Sequence, residues 1–294
     1  MLLRTLFLLP ALLRVAIAQT STMACNNSPS LCSRQYNNVT HLGAHDSPFV
    51  RDASTGYTTS GNQFYNSSVQ LSAGVRLLTA QLQRTNTTST GQLHLCHTDC
   101  GLLDAGKLSD WLGDVKSWMD SNPNNVVTIL LVNGADASAS DIAAEYQEAG
   151  IVDYSYTPSS SSATRNWPTL QSMINNGTRL LNFVASISDN SAAPYLMNEF
   201  NYIFENNYDV TDLSGFSCTA DRPSSVQANT AGAIYSGMMP LMNHCKPLFS
   251  SSVRDALPCS NTWQSSTKLK RSVFSPQTSR TLPLQTLPET APET

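Results

Sequence analysis

The chain is poor in charged residues and has no basic stripe. Lysine and arginine together number 17 and aspartate and glutamate 21, which gives a formal net charge of -4. Without a basic stripe the protein cannot neutralise a run of backbone phosphates, so we expect no nucleic-acid partner. Any phosphate that it handles should be a small head group.

Long hydrophobic runs are absent after the N-terminal segment, so nothing later in the sequence is expected to cross a membrane. Residues 1–18 combine Arg4, an apolar run to Ile17 and small residues before Gln19, a pattern typical of a secretory signal peptide. No hydrophobic stretch ends the chain, so we also expect no glycolipid anchor. The sequence therefore predicts a secreted, extracellular protein.

The seven cysteines lack the paired Cys-x-x-Cys spacing of common zinc sites. In an oxidising compartment we expect disulfides, and the close pairs Cys25/Cys32 and Cys96/Cys100 are the first candidates. Three further cysteines cannot all pair with one another, so at least one should be free or joined to another molecule: Cys218, Cys245 and Cys259. Asn-x-Ser/Thr acceptors predict a glycoprotein, and they lie at Asn26, Asn38, Asn66, Asn86 and Asn176.

From Thr40 onward, short apolar runs alternate with segments of helical periodicity, which indicates strands joined by helices rather than a β-sandwich. The clearest helix is 108–119, where apolar residues recur at three- and four-residue steps before Pro123 ends the pattern. Shorter helices are predicted at 141–148 and 170–174. The predicted strands are 39–44, 74–82, 93–96, 126–132, 179–185, 202–205 and 239–242.

A strand, helix, strand order implies parallel pairing with right-handed crossovers. In a closed (β/α) barrel the catalytic groups lie at the C-terminal ends of the strands. His45, His97 and Asn133 would all occupy such ends. The predicted fold class is therefore α/β with its functional residues on one face.

Two histidine motifs about fifty residues apart carry the clearest functional signal. They read HLGAHDSP over 41–48 and LHLCHTDC over 93–100. Two imidazoles that face one pocket could take a proton from one oxygen and give a proton to another. That is the minimum apparatus for cleaving a phosphodiester, so His45 and His97 are candidate catalytic residues.

Both motifs also allow structural interpretations. Asp46 could simply cap the turn that follows a strand, and the second motif could bind zinc through its two histidines and two cysteines. The order His-x-Cys-His-x-x-Cys does not match common zinc sites, and secretion favours a disulfide. We therefore predict no bound metal at the second motif.

A set of ordered segments makes the chain similar to secreted fungal proteins of the phosphatidylinositol-specific phospholipase C X-domain type, also called PLC-like phosphodiesterases. The similarity covers about residues 25–244. The segments are GAHDS (43–47), GVRLLTAQ (74–81), HLCHTDC (94–100), NPNNVVTILLVN (122–133), WPTL (167–170), NEF (198–200) and MPLMNH (239–244).

This resemblance implies an irregular TIM-type barrel over 19–246 and a phosphoric diester hydrolase or lyase of the phospholipase C type. His45 would be the general base and His97 the general acid, and Asp46 would hold and polarise an imidazole. Gln81 and Asn133 are the expected substrate-binding residues. The implied substrate is a phosphoinositide or a related small phosphodiester, handled by a monomer that contacts membrane surfaces transiently.

Relatives differ in how they balance the charge of the phosphate. Metal-independent ones place an arginine near the end of the second strand, and calcium-dependent ones place carboxylates there. This chain has Thr79-Ala80-Gln81 at that position, while Arg76 lies earlier and Arg84 beyond. We therefore expect no cofactor. Calcium stays the alternative, although the residues at the expected positions do not support a calcium site.

The C-terminal part of the chain also departs from the relatives. They continue past the MPLMNH segment into a further strand and helix, whereas this chain enters a stretch rich in Ser, Thr and Pro. We expect a barrel without its final strand and a disordered tail over 247–294. Together with the neutral Gln81, this leaves an alternative: a catalytically impaired secreted barrel that binds an inositol or sugar ligand.

Overall fold

The apolar runs of the sequence form the strands of a mainly parallel sheet. The computed structural model describes residues 23–85, 91–207, 210 and 217–242, all within one compact unit. The predicted signal peptide at 1–18 and the predicted tail at 247–294 lie outside these residues. Within the described ranges, no helix is both long enough and apolar enough to span a bilayer.

The described residues form strands, α-helices and a few short 3-10 turns. The strands are β1 (Gly43–Ala44), β2 (Leu77–Arg84), β3 (Leu93–Cys96), β4 (Asp104–Lys107), β5 (Val127–Asn133), β6 (Leu180–Ala185), β7 (Leu196–Asn198), β8 (Ile203–Glu205) and β9 (Met239–Leu241). The helices are α1 (Ser67–Ser72), α2 (Leu108–Ser121), α3 (Ala139–Glu148), α4 (Leu170–Asn175), α5 (Ser224–Gln227) and α6 (Thr230–Ser236).

Parallel pairing dominates the sheet. β1, β2, β5, β6 and β7 are successive parallel neighbours, and β8 and β9 form a separate parallel pair. In the part of the chain that the structure describes, no strand joins the two sheets and none follows β9. The predicted irregular α/β barrel is therefore confirmed, and it is not closed within the described residues. The predicted loss of the final strand concerns the chain after Met242, which lies outside these residues.

The strand at 93–96 has a direction that the sequence pattern did not predict. β3 runs antiparallel to β2, and β4, which the pattern missed, runs antiparallel to β3. Residues 85–92 are too few for the crossover of a dozen or more residues that parallel strands need. His97 therefore reaches the site on a returning hairpin, and the expectation that it ends a parallel barrel strand is wrong.

The three predicted helices are present as α2, α3 and α4. The sequence pattern missed four other elements, namely β7, α1, α5 and α6. Each of them has at most seven residues. Segments this short contain too few residues for a helical or strand periodicity to be recognised.

The core has two layers because side chains alternate along each strand. On β5, Ile129 and Leu131 pack with the helices α2 and α3 in an outer layer. Leu130 points to the other face, where it packs with Phe183 of β6 and with Trp167. Both layers are mainly apolar, and their buried polar groups are hydrogen-bonded: Thr128 to Tyr36 and Asn182 to Tyr146. The sheet is therefore a closely packed support for the loops at its ends.

Both predicted local disulfides are confirmed. They join Cys25 to Cys32 and Cys96 to Cys100. The second bond commits both cysteines of the histidine motif, so the zinc interpretation fails for lack of free thiolates. Cys218 is disulfide-bonded as well.

Candidate active site

The first histidine motif contains β1, and the chain turns sharply at Asp46 just after this strand. Asp46 has a positive φ of 50°, in the left-handed region that aspartate tolerates better than most residues. Two hydrogen bonds to Thr79 of β2 hold the turn: the Asp46 amide donates to the Thr79 hydroxyl at 2.8 Å, and the Ser47 amide donates to the Thr79 carbonyl at 2.8 Å. The turn places the Asp46 carboxylate where it is 2% exposed.

The two predicted catalytic histidines meet at this carboxylate. The Oδ2 atom of Asp46 lies 3.1 Å from Nε2 of His45 and 3.4 Å from Nε2 of His97. The two imidazole nitrogens can be no farther apart than the sum of these distances. Residues that are distant in sequence are therefore brought together around one carboxylate oxygen.

A loop over 48–66 wraps the histidines on the outside. Asn62 donates from Nδ2 to the Asp46 carboxylate at 3.3 Å, and Gln63 donates from Nε2 to the His45 carbonyl at 2.5 Å. The carbonyl of Ser60 accepts from Nδ1 of His97 at 2.5 Å. Sequence reasoning missed all three residues, because nothing in their spacing distinguishes them from ordinary loop residues.

His97 is held by packing as well as by hydrogen bonds. Its ring stacks on Phe49 with 5.2 Å between centroids. Since the Ser60 carbonyl can only accept, the proton on Nδ1 of His97 is fixed, and Nε2 is the nitrogen that can exchange a proton. This nitrogen is the one that points to Asp46.

Gln81 connects the two histidine motifs. Its Nε2 donates to both oxygens of Asp46 at 3.2 and 3.1 Å, and its Oε1 accepts from the Thr98 amide at 2.9 Å. Thr98 follows His97 directly and has a positive φ of 66°. Gln81, expected to bind substrate, thus lies in the site, where its amide holds Asp46 and the His97 loop.

Asn133 lies at the end of β5, as the sequence predicts, but its amide faces its own loop. The Nδ2 atom donates to the Ala137 carbonyl at 2.9 Å, and Oδ1 accepts from the Ala137 amide at 3.0 Å. The side chain is buried. Asn133 would have to break these bonds to contact a substrate, so its predicted binding role stays a prediction.

The proximity of Asp46 and His45 shifts the pKa values of both groups in opposite directions. The hydrogen bond to Asp46 raises the pKa of His45 above its usual value, partial burial opposes this, and the charges of Asp46 and Glu205 add to the rise. Burial raises the pKa of Asp46, but its hydrogen bond to His45 and the charges of His45 and His97 outweigh burial, so the pKa is lowered. At neutral pH Asp46 is therefore an anion.

A calcium ion does not fit this site. Calcium takes six to eight oxygen ligands, and carboxylates supply most of its charge balance. Asp46 supplies the carboxylate beside the two histidines, and its oxygens already accept hydrogen bonds from Asn62 and Gln81. Among the described residues, the one group of at least three potential metal ligands is Cys96, Cys100 and Asp104, and two of these form a disulfide.

The arrangement can carry out a two-proton reaction. His45 donates from Nε2 to Asp46, which leaves Nδ1 as the nitrogen with a lone pair, and its side chain is 67% exposed. His97 presents Nε2 as an acid when it is protonated. One imidazole can therefore accept a proton while the other donates one.

Comparison with known proteins identifies similar chains. A family model described as PI-PLC X 1 matches residues 31–276, which extends beyond the predicted domain boundary at Lys246. A protein of Arthroderma benhamiae described as PI-PLC X domain-containing protein 1 is 38% identical over 230 residues, covering 78% of this chain and 70% of that protein. An uncharacterized secreted protein of the same fungus is 37% identical over 205 residues, covering 69% of this chain and 44% of the other.

Solved structures of bacterial enzymes are also similar. The phosphatidylinositol-specific phospholipase C of Listeria monocytogenes aligns over 79% of this chain and 82% of its own, with 13% identity and a TM-score of 0.47. A Staphylococcus aureus enzyme of the same description aligns over 53% of this chain and 50% of its own, with 16% identity and a TM-score of 0.41.

Proposed function

Since this chain belongs to the PI-PLC X domain family, we propose that it is a secreted phosphoric diester hydrolase or lyase of the phospholipase C type. One observation carries the proposal: the imidazoles of His45 and His97 both contact one oxygen of Asp46. The substrate is a phosphoinositide or a related small phosphodiester. Transient contact of a monomer with a membrane surface would bring it to a lipid substrate.

In the proposed reaction each imidazole accepts a proton in one step and donates a proton in the other. His45 takes the proton of the inositol 2-hydroxyl through Nδ1, and the resulting oxyanion attacks phosphorus. His97 gives the proton on Nε2 to the departing diacylglycerol oxygen. Water then opens the cyclic phosphate with the two roles reversed, and each proton transfer contributes about 10²- to 10⁴-fold in rate.

Asp46 supports both histidines in this proposal. Its charge orients the His45 ring through the Nε2 contact and stabilises the imidazolium that forms when His45 takes a proton. It also offers an acceptor to Nε2 of His97 until a substrate oxygen replaces it. Gln81 and Asn62 keep the carboxylate in place through their amide groups.

The test compares His45→Ala and His97→Ala with the wild type on phosphatidylinositol, glycerophosphodiesters and a chromogenic phosphodiester, with and without calcium. The matched control is His94→Ala. His94 also pairs with a carboxylate, that of Asp104 at 2.9 Å, but it lies outside the site. We expect the two site variants to lose about 10²-fold or more in kcat/KM and the control to keep its activity. Unchanged substrate in every wild-type assay, or full activity in His45→Ala, would exclude the proposal.

A ligand-binding protein without turnover is the second candidate. It is favoured because Gln81 is neutral and already bonded to Asp46 and Thr98, so it adds no positive charge for a phosphate. Calorimetry with myo-inositol separates the two candidates. Binding that survives the double variant His45→Ala/His97→Ala, together with no hydrolysis by the wild type, would support this second function.

We also propose that the protein is secreted and glycosylated. The disulfides Cys25–Cys32 and Cys96–Cys100 support this, since such bonds persist in oxidising compartments. The acceptors Asn38, Asn66 and Asn176 are exposed. The test is expression in a secreting host: the protein should appear in the medium, and its mass should fall on treatment with an N-glycosidase.

A further inference from the structure

A second group of charged side chains lies at the C-terminal end of β8. Glu205 ends this strand and is 4% exposed, and Glu199, in the turn before it, is 1% exposed. The C-terminal ends of barrel strands share one face, so this group lies on the face that also carries His45 at the end of β1. The charge of Glu205 reaches that ring, since it helps to raise the pKa of His45.

Glu199 is held in its neutral form. Burial, followed by the charge of Glu205, raises the pKa of Glu199 well above that of an ordinary carboxyl group. No nitrogen or hydroxyl group of the described residues donates to either oxygen of Glu199. A neutral carboxyl tolerates such surroundings far better than a carboxylate. Glu199 is therefore neutral at pH 7, whereas Glu205 forms an ion pair with Arg222.

Arg222 lies beside Glu205. Its guanidinium Nη2 forms an ion pair with Oε2 of Glu205. The backbones are joined as well, because the Glu205 amide donates to the Arg222 carbonyl at 2.8 Å and the Arg222 amide donates to the Glu205 carbonyl at 3.2 Å. The Arg222 side chain is nevertheless 53% exposed. An arginine has five N–H donors, so most of them are left for another anion.

We propose that Arg222 binds the phosphate of the substrate, supplying the positive charge that Gln81 cannot. This inference rests on the proposed function. A phosphorus centre under attack gains negative charge, and an arginine fork matches phosphate oxygens in geometry. Other arginines are placed elsewhere: Arg76 donates to Asn125 at the start of β2, and Arg84 is paired with Asp141 at 2.8 Å.

A purely structural role for Arg222 would be to neutralise buried Glu205, and the experiment separates the two roles. Removing one partner of a buried ion pair is destabilising, whereas replacing both by neutral residues is often tolerated. The variants are therefore Arg222→Lys, Arg222→Met and the double variant Arg222→Met/Glu205→Gln. The matched control is Arg165→Met, because both arginines lie over an aromatic ring: Arg222 over Phe200 at 6.0 Å, and Arg165 over Tyr235 of α6 at 5.2 Å. A second control is Arg51→Met, in the loop around the histidines.

The main readout is the dissociation constant of inorganic phosphate, measured by calorimetry, with myo-inositol as the uncharged comparison. We expect phosphate affinity to fall about 10- to 100-fold in Arg222→Met and in the double variant, less in Arg222→Lys, and within about twofold of wild type in both controls. If Arg222→Met does not fold, the double variant carries the test. Phosphate affinity at the wild-type level in the folded double variant, or a loss only in Arg51→Met, would overturn the inference.

Phosphate binding does not require turnover, so the two proposals fail separately. An enzyme inactive on every ester that still binds phosphate through Arg222 would contradict the proposed function alone. Activity on a soluble phosphodiester adds a second readout. There we expect a loss of about 10²-fold in kcat/KM for Arg222→Met, larger than the loss for Arg222→Lys.

Discussion

The carbonyl oxygen of Ser60 lies 2.5 Å from Nδ1 of His97. Ser60 belongs to the loop that follows the first histidine motif, and His97 to the second motif, so this bond joins the two halves of the site. A carbonyl accepts but cannot donate, so the bond decides which ring nitrogen of His97 keeps its proton. The opposite assignment holds for His45, whose Nε2 faces the Asp46 carboxylate at 3.1 Å.

The two histidines should therefore be opposite tautomers when neutral. We expect His97 as the Nδ1–H form and His45 as the Nε2–H form. Nitrogen-15 chemical shifts of the imidazoles, recorded above the pH at which both rings are neutral, report this directly. Identical tautomers for both rings would contradict the hydrogen-bond arrangement of the site, whatever the enzyme activity.

Replacing Asp46 by Asn should lower activity and shift its pH dependence. Asn keeps the shape and tolerates the positive φ at this position, but it removes the negative charge that raises the pKa of His45. His45 acts as a base only when neutral, so kcat/KM rises with pH through its pKa. In Asp46→Asn this rise should move to lower pH, while kcat falls about 10²-fold or more. An unchanged acidic limb would contradict the pairing.

The same pair should stabilise the fold within a limited pH window. His45 has a raised pKa, so its contribution is complete below its unfolded value of about 6.5 and is lost as pH rises through the folded value. Asp46 has a lowered pKa, so its contribution is present above about 3.9 and is lost as pH falls. The difference in Tm between wild type and Asp46→Asn should therefore be larger at pH 5.5 than at pH 8.5.

Removing either of the two local disulfides should lower the stability of the fold, but only removal of Cys96–Cys100 should also lower the activity. The pairs Cys25/Cys32 and Cys96/Cys100 each close a short loop, and removing either should cost about 2 kcal/mol of unfolding free energy. The second loop holds Thr98, whose amide donates to Gln81 beside Asp46. We expect Cys96→Ser/Cys100→Ser to lose activity per folded molecule. Denaturant titration and kcat measured on the same samples provide the check.

Cys25→Ser/Cys32→Ser is the matched control for that experiment. It should show a similar loss of stability with unchanged kcat, since its loop contacts no residue of the site. Equal loss of kcat in both double variants would mean that the second loop has no specific role in positioning His97.

Chelation of divalent cations should leave activity unchanged. The site has one ionised carboxylate beside the histidines, Asp46, whereas Glu205 is paired with Arg222. These two carboxylates supply fewer oxygen ligands than calcium requires. Rates measured in excess EDTA and in millimolar calcium should agree within about twofold. A strict calcium requirement would mean that the phosphate charge is balanced differently from the way proposed for Arg222.

Much of the fold follows from patterns that one segment carries by itself. The apolar runs of β5 and β6 and the heptad-like spacing of α2 predict these elements because burial of one face dominates local preference. The disulfide Cys96–Cys100 follows from proximity along the chain. Short elements such as β7 were missed because pairing with β6 forms them rather than their own composition.

The candidate site is likewise predicted only in part from the sequence. The roles of His45, Asp46 and His97 are predicted from residue chemistry and from family resemblance, and their convergence on one oxygen agrees with that expectation. Gln81 bridges Asp46 and Thr98, and its expected substrate-binding role stays a prediction. Asn133 turns back to Ala137. Side-chain amides form hydrogen bonds with backbone groups that lie near them in the fold. The sequence alone does not give the distances between these groups.

By itself, the sequence determined the strand and helix pattern, the local disulfides and the two histidine motifs, because each depends on residues close together along the chain. Only the tertiary structure decided that Ser60 and Asn62 complete the site and that Arg222 joins Glu205 at a strand end. The physical reason is that hydrogen bonds and ion pairs act over about 3 Å in space. Packing of the whole barrel sets those separations, and no local pattern encodes them.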